Sequence, residues 1–382
     1  MSARCWLWRF DALRRAARLH ARAVADRDAG RVSFALPAAM KALVLVERRW
    51  GESSPDAAVV WHTIGTIREE LSDYHGADTA YRRAAAILDG HRSDETLTPV
   101  QITVASSTAR LRRALGRLND AEALYAQTIE LAERYYGSDT VEVAELLNDL
   151  AVVYKYAARF DKAEALYRRA LPIFEATRGC CHVDVATIWH NLGGIEHARA
   201  RFGTGEIYTR YAVQIRQAAL GPGHVAVAKD IAALAALVQE QHRFAEAERL
   251  YQRAIGIFEN AYEPVHYELA VNYNNLAAVY AARGNPYQAE VLYRRALDIK
   301  NQLLGPTHPD VAVSLHNVAM LAVGQGDDDR ARELFERAVA ILEASLGAEH
   351  PKTVTSRTQL AALPPRQPAT DDGVVQRDST TR

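Results

Sequence analysis

Apolar residues recur every three or four positions along most of the chain, in two stretches separated by a short polar break, and the arrangement then starts again. The clearest copy lies between Tyr262 and Gly305. Tyr273, Leu276, Ala277 and Tyr280 share one face of a 3.6-residue period. Arg283-Gly284-Asn285-Pro286 interrupts it, and Ala289, Tyr293 and Ala296 open a second face. A turn of the form Gly-x-x-His-Pro-Asp follows, Gly305 to Asp310. The pattern predicts two amphipathic helices joined by a tight turn, with a Pro just inside the next helix start, where a missing N–H costs nothing.

The unit matches itself at a step of 42 residues. Tyr293 steps back to Tyr251, Thr209, Tyr167 and Tyr125 and forward to Phe335, and two extra residues in one loop bring Tyr81 and Ala39 into line. Eight units result, at about 11–50, 51–92, 95–136, 137–178, 179–220, 221–262, 263–304 and 305–347. A period of this kind predicts an array in which each hairpin buries its apolar face against its neighbours, so length does not translate into globular domains. Residues 1–10 read as a lead-in outside the repeat, in which Trp6, Trp8 and Phe10 cover the open end. Residues 348–363 read as a capping helix, and 364–382, rich in Pro, Thr, Asp and Ser, as a disordered tail.

Three positions per unit are small. The first is Ala23, Gly65, Ala109, Ala151, Gly193, Ala235, Ala277 and Ala319; the second includes Ala247 and Ala289, and the third Ala254 and Ala296. Small residues belong where helix axes approach closely. Large, Leu, small, Tyr, small, aromatic, small, read at Tyr273, Leu276, Ala277, Tyr280, Ala289, Tyr293 and Ala296, resembles the tetratricopeptide repeat. The longer period, with Gly305 to Ala312 and Asn274 to Ala277, is similar to the kinesin-light-chain variety. The fold implied is all-α, a right-handed superhelical solenoid of about eight tetratricopeptide hairpins with a C-terminal capping helix.

The resemblance also implies a binding face. In such arrays the first helices line a concave groove, and the residue two before the repeated Leu points into it. Here that position reads His20, His62, Ser106, Asn148, His190, Ala232, Asn274 and His316, and the next one Ala21, Thr63, Ser107, Asp149, Asn191, Ala233, Asn275 and Asn317. Asn and His offer both donors and acceptors, which suits the unpaired backbone of an extended peptide. The expected groove residues are His62, Asn148, His190, Asn191, Asn274, Asn275, His316 and Asn317, with Lys155 and His197 one turn further along. The alternative is that these groups bond to neighbouring helices and only keep the groove wet.

Other chemistry is sparse. His182, His224, His266, His308 and His350 recur at the repeat step just before a first helix, which points to capping rather than to a metal. No nucleophile elbow, phosphate loop or paired-carboxylate site stands out. No metal or other cofactor is expected, and no catalysis. The net charge of -1 gives no pull toward nucleic acid or membrane. Three cysteines, Cys5, Cys180 and Cys181, make no disulfide framework, and no secretory signal or membrane span is evident, so the cytoplasm is expected. The expected role is an adaptor for a peptide or helix of a partner protein. A ligand-responsive sensor, or the repeat region of a larger signalling protein, is the alternative.

Overall fold

Periodicity of 3.6 throughout leaves no segment that alternates as a strand does, and the computed structural model is helical accordingly. The structure describes residues 3–29 and 31–365, with side chains from Arg14 onward. Among the described residues there are seventeen α-helices, one short 3-10 segment and no strand. In chain order they are α1 (Ala3–Asp28), α2 (Val32–Trp50), α3 (Pro55–Glu70), α4 (Tyr74–Asp89), α5 (Thr98–Ala114), α6 (Leu118–Tyr136), α7 (Val141–Tyr156), α8 (Phe160–Arg178) and α9 (Val183–Ala198). There follow α10 (Phe202–Leu220), α11 (Val225–Glu240), α12 (Phe244–Ala261), α13 (Tyr267–Ala282), α14 (Pro286–Leu304), α15 (Pro309–Gln325), α16 (Asp328–Leu346) and α17 (Pro351–Ala362).

The helices form two compact units, one ending at Ile195 and one beginning at Glu196, within α9. In the first, α1 packs with α2, α3 with α4, α5 with α6 and α7 with α8. In the second, α11 packs with α12, α13 with α14 and α15 with α16, and α17 lies on α16. The lead-in expected over residues 1–10 runs into α1, which starts at Ala3; no Gly or Pro interrupts the stretch to Asp28. The side chains of Trp6, Trp8 and Phe10, and the tail from residue 366, lie outside the described residues.

The punctuation of the repeat has a simple mechanism. Six of the eight second helices end on a glycine of positive φ, as at Gly137 (95°) and Gly305 (83°), a conformation that costs other residues about 1–2 kcal/mol; α4 and α12 do not. In five repeats a histidine just ahead of the first helix caps it. Nδ1 of His224, His266, His308 and His350 accepts the backbone N–H two residues on, at 3.1, 3.2, 3.1 and 3.2 Å, and His182 does so to Asp184 at 3.3 Å. An accepting Nδ1 places the imidazole proton on Nε2. The capping role expected from the repetition is therefore what these histidines do.

Tight turns within the hairpins are less uniform. From the α3–α4 turn onward one residue in each is left-handed, yet at Ser72, Ala158, Ala200 and His242 it is not a glycine. The core keeps its small positions closed, with Ala109, Ala151, Ala235, Ala277 and Ala319 fully buried, and fills the spaces between them with Tyr81, Tyr125, Tyr167, Tyr251 and Tyr273. Two polar pairs enter the second unit where the repeat elsewhere puts Phe174 and Phe258. Arg216 donates to buried Asp230 at 2.6 Å, and Lys300 to buried Ser314 at 2.9 Å.

Candidate functional site

The polar row runs along one face of the first helices, where a side chain every seven residues, two helical turns on, points the same way. In the first unit it comprises His20, His62, Asn148, Lys155, His190 and Asn191, and in the second His197, Asn274, Asn275, His316 and Asn317. All but His197 are half-buried; His197 is exposed, edge-on to Phe202 at 5.7 Å.

Most of the row is tied sideways, from one repeat to the next. The Nε2 of His20 lies 2.8 Å from Thr63 Oγ1, that of His62 3.0 Å from Ser107 Oγ, and His316 Nδ1 2.9 Å from Ser356 Oγ. Asn191 donates to Asn148 at 3.3 Å, and Asn317 to Asn274 at 3.1 Å. The bonding between neighbouring helices, weighed as an alternative to peptide binding, is thus present, and except at His316–Ser356 it links the first ladder position of one repeat to the second position of the next. A side chain 43 residues away is invisible to a search for local pairs, although the two aligned ladders placed both partners on view.

A second set of bonds comes from the tyrosine ladder. The hydroxyl of Tyr125 donates to Asp149 at 3.4 Å, and the hydroxyl of Tyr81 donates to Glu69 at 2.9 Å. Tyr167 holds the equivalent place, and its buried hydroxyl has no partner.

Burial dominates the electrostatics. It pushes the His62 imidazole down to about 4, helped by the Arg110 and Arg27 guanidinium groups, and lowers His20 and His316 as well. Asp149 is raised by burial against the pull of Arg110 and a bond from Asn148. Lys155 is lowered by burial alone. Its ammonium lies against α9, 2.9 Å from where a Cβ on Gly194 would stand, and it has no hydrogen-bond or ion-pair partner among the described residues.

What the row supplies is hydrogen-bonding capacity without a reactive group. An Asn amide has two donors and two acceptor lone pairs. One cross-repeat bond leaves each of Asn191 and Asn317 a spare N–H and an open carbonyl oxygen. Among the described residues no three His, Cys, Asp or Glu side chains gather as a metal site.

The tetratricopeptide-repeat profile matches residues 101–176, 184–260 and 268–344, more than half of the chain. The chain belongs to the tetratricopeptide-repeat family. Among solved structures this tetratricopeptide array is similar to BtubC (BKLC) from P. vanneervenii, at 26% identity and a TM-score of 0.51, over 62% of this chain and 91% of that one. It also resembles apo RapI (14%, TM-score 0.58, 75% of this chain and 98% of that one). Aspartyl phosphate phosphatase F from Bacillus subtilis shares the fold too (13%, TM-score 0.60, 78% and 73%). The last two likenesses concern fold alone. No curated protein matches the chain. Among the described residues no helix is long and apolar enough to cross a membrane.

Proposed function

We propose that this array is a non-catalytic adaptor that binds an extended peptide of a partner protein along the polar row of its first helices. The observation that carries the reading is the state of the Asn148–Asn191 and Asn274–Asn317 pairs. Each pair is half-buried and joined by one cross-repeat bond, with Asn148 donating in addition to Asp149 at 3.3 Å, and Asn191 and Asn317 keep donors and acceptors to spare. Pre-oriented amides of this kind lose little side-chain entropy when a ligand backbone replaces water on them. Recognition through the peptide backbone is tolerant of ligand sequence, so selectivity falls to side chains that differ between repeats, above all Lys155. Its unpartnered ammonium favours an acidic side chain on the ligand.

Peptides selected from a displayed library against the whole chain provide the ligand for the test. The variants remove both ends of a pair, Asn148→Ala with Asn191→Ala or Asn274→Ala with Asn317→Ala, so that no amide is stranded without its partner. Each is expected to lose at least about tenfold in affinity by fluorescence anisotropy at an unchanged melting temperature, since one amide contact is worth about 1 kcal/mol and each pair offers more than one. Selected peptides that bind both folded variants as tightly as the wild type refute the assignment.

A further inference from the structure

Aligning the repeats against one another exposes a place where this chain departs from its own rule. Position 105 is Leu19, Trp61, Leu147, Trp189, Ile231, Tyr273 or Leu315 in the other repeats, and here it is Ala105. Position 108 holds Ile64, Leu150, Leu192, Leu234, Leu276 or Val318 in six other repeats and Arg22 in the first, and here Thr108. Position 85 holds Leu43, Ile129, Leu171, Val213, Ile255, Leu297 or Val339, and here Ala85. Three independent reductions of side-chain volume in one well-packed array call for collapse or a cavity.

They leave a cavity. Ala85 of α4 and Ala105 and Thr108 of α5 line one open space of about 640 Å³, closed on its far side by α6 through Leu124 and Leu131. That volume falls within the usual range for small-molecule sites. The same junction carries the two extra loop residues and the 3-10 segment Glu95–Leu97, and Gly90 there, at φ -67°, lacks the left-handed turn of the other repeat glycines. The irregular junction sets α5 onto α4 by a connection that no other repeat uses.

The rim of the cavity is basic. Arg82 is paired with Asp78 and Arg92 with Asp89, whereas Arg112 and Arg134 have no carboxylate partner among the described residues. The two threonines on the wall add nothing to that preference for an anion. Thr108 and Thr128 spend their hydroxyl protons on carbonyls of their own helices, at 2.7 Å each, so only their acceptor lone pairs face the space.

We propose that this cavity between the second and third repeats is a binding site for a small anionic amphiphile, its apolar body against Ala85, Ala105 and Leu124 and its anionic head on Arg112 and Arg134. An apolar floor favours a hydrocarbon or aromatic body. Two guanidinium forks at the mouth suit a carboxylate, sulfonate or phosphate head, which they grip by paired N–H donors. A neutral ligand of the same shape gains nothing from the rim.

The test uses the full chain and two dyes with nearly the same rings. One, 1-anilinonaphthalene-8-sulfonate, carries the anionic head, and N-phenyl-1-naphthylamine lacks it. The sulfonate is expected to bind saturably and to be displaced by dodecanoate or dodecyl phosphate, the stronger competitor identifying the natural head group. Arg112→Gln with Arg134→Gln should weaken the sulfonate at least about tenfold and leave the neutral dye within about twofold, as expected for charge-assisted contacts. Ala105→Leu with Thr108→Leu, the residues that the fourth repeat carries, should abolish binding of both dyes while holding or raising the melting temperature. Ala85→Leu alone serves if that pair perturbs folding. Retention of the sulfonate by a folded, filled variant overturns the site. Equal loss of both dyes in the arginine variant, or failure of both competitors, overturns the anionic assignment.

Discussion

Gly65 stands where six other repeats place a buried alanine, and replacing it by alanine sets two effects against each other. In a helix interior, glycine to alanine is worth about 1 kcal/mol of stabilisation. A Cβ at Gly65 would, however, lie 2.4 Å from Tyr81 Cε1 and 2.5 Å from Cδ1, against the 3.5–4.0 Å at which carbon atoms rest. The ring must move by about 1 Å. It is fully buried, and its hydroxyl donates to Glu69, which is itself held by Arg110 at 3.2 Å. Overpacking of this kind costs about 1–3 kcal/mol, and a weakened buried hydrogen bond adds about 1 kcal/mol. Sterics therefore win, and Gly65→Ala is expected to destabilise the first unit by about 1–3 kcal/mol net. Gly256→Ala is the control. It is helical with nothing within 4 Å of its built Cβ, and it should gain about 1 kcal/mol. Because an array of repeats need not unfold in one step, the readout is hydrogen exchange in α3 and α4, where 1.4 kcal/mol is a tenfold change in protection, alongside the melting curve. Tyr81→Phe should not rescue the variant, since the offending ring carbons remain, whereas Tyr81→Leu should. A Gly65→Ala protein as stabilised as Gly256→Ala would show that the Tyr81 ring is free to yield, and would refute the packing argument.

The remaining expectations follow from the same geometry. Ala158 sits at φ 56° in the turn between α7 and α8, so Ala158→Gly should raise stability by about 1 kcal/mol, read as a higher melting temperature; an unchanged or lower value sinks the strain argument. Arg216→Ala strands the Asp230 carboxylate and should cost about 3–5 kcal/mol, while Arg216→Phe with Asp230→Ile, the pair found at Phe174 and Ile188, should be close to neutral by chemical denaturation. His62 has its imidazole depressed to about 4 by burial, so the folded form binds fewer protons than the unfolded chain between pH 6.5 and 4. Its contribution, roughly 3 kcal/mol at most, is present above pH 6.5 and lost as pH falls through that window. His20 and His316 shift the same way. Melting temperature should drop with acid across that range, and His62→Gln should flatten part of the drop.

The hairpins, their small crossings and their capping histidines were legible because each is set by residues within one repeat and restated at every later one, so a mistake at Ala277 would be corrected at Ala235. What one repeat says to the next is a different kind of information. Asn148 and Asn191 lie on different helices, and whether they meet depends on the lateral offset with which one hairpin docks on another, an offset held by Tyr125, Tyr167 and the other buried rings. The sequence therefore offers bonding between neighbouring helices only as an alternative, without saying which residue meets which. The same pairing now narrows what the row does: an amide already anchored by one bond is a poor candidate for large rearrangement and a good one for holding a ligand backbone in register. The α4–α5 junction runs the other way. Its unusual residues, Ala85, Ala105 and Thr108, were in plain view, but each alone reads as an ordinary lapse in a repeat. Only their convergence on one space, beside two arginines without partners, turns three lapses into a feature. In a repeat protein the consensus determines the frame, and departures from it become informative when the frame brings them together.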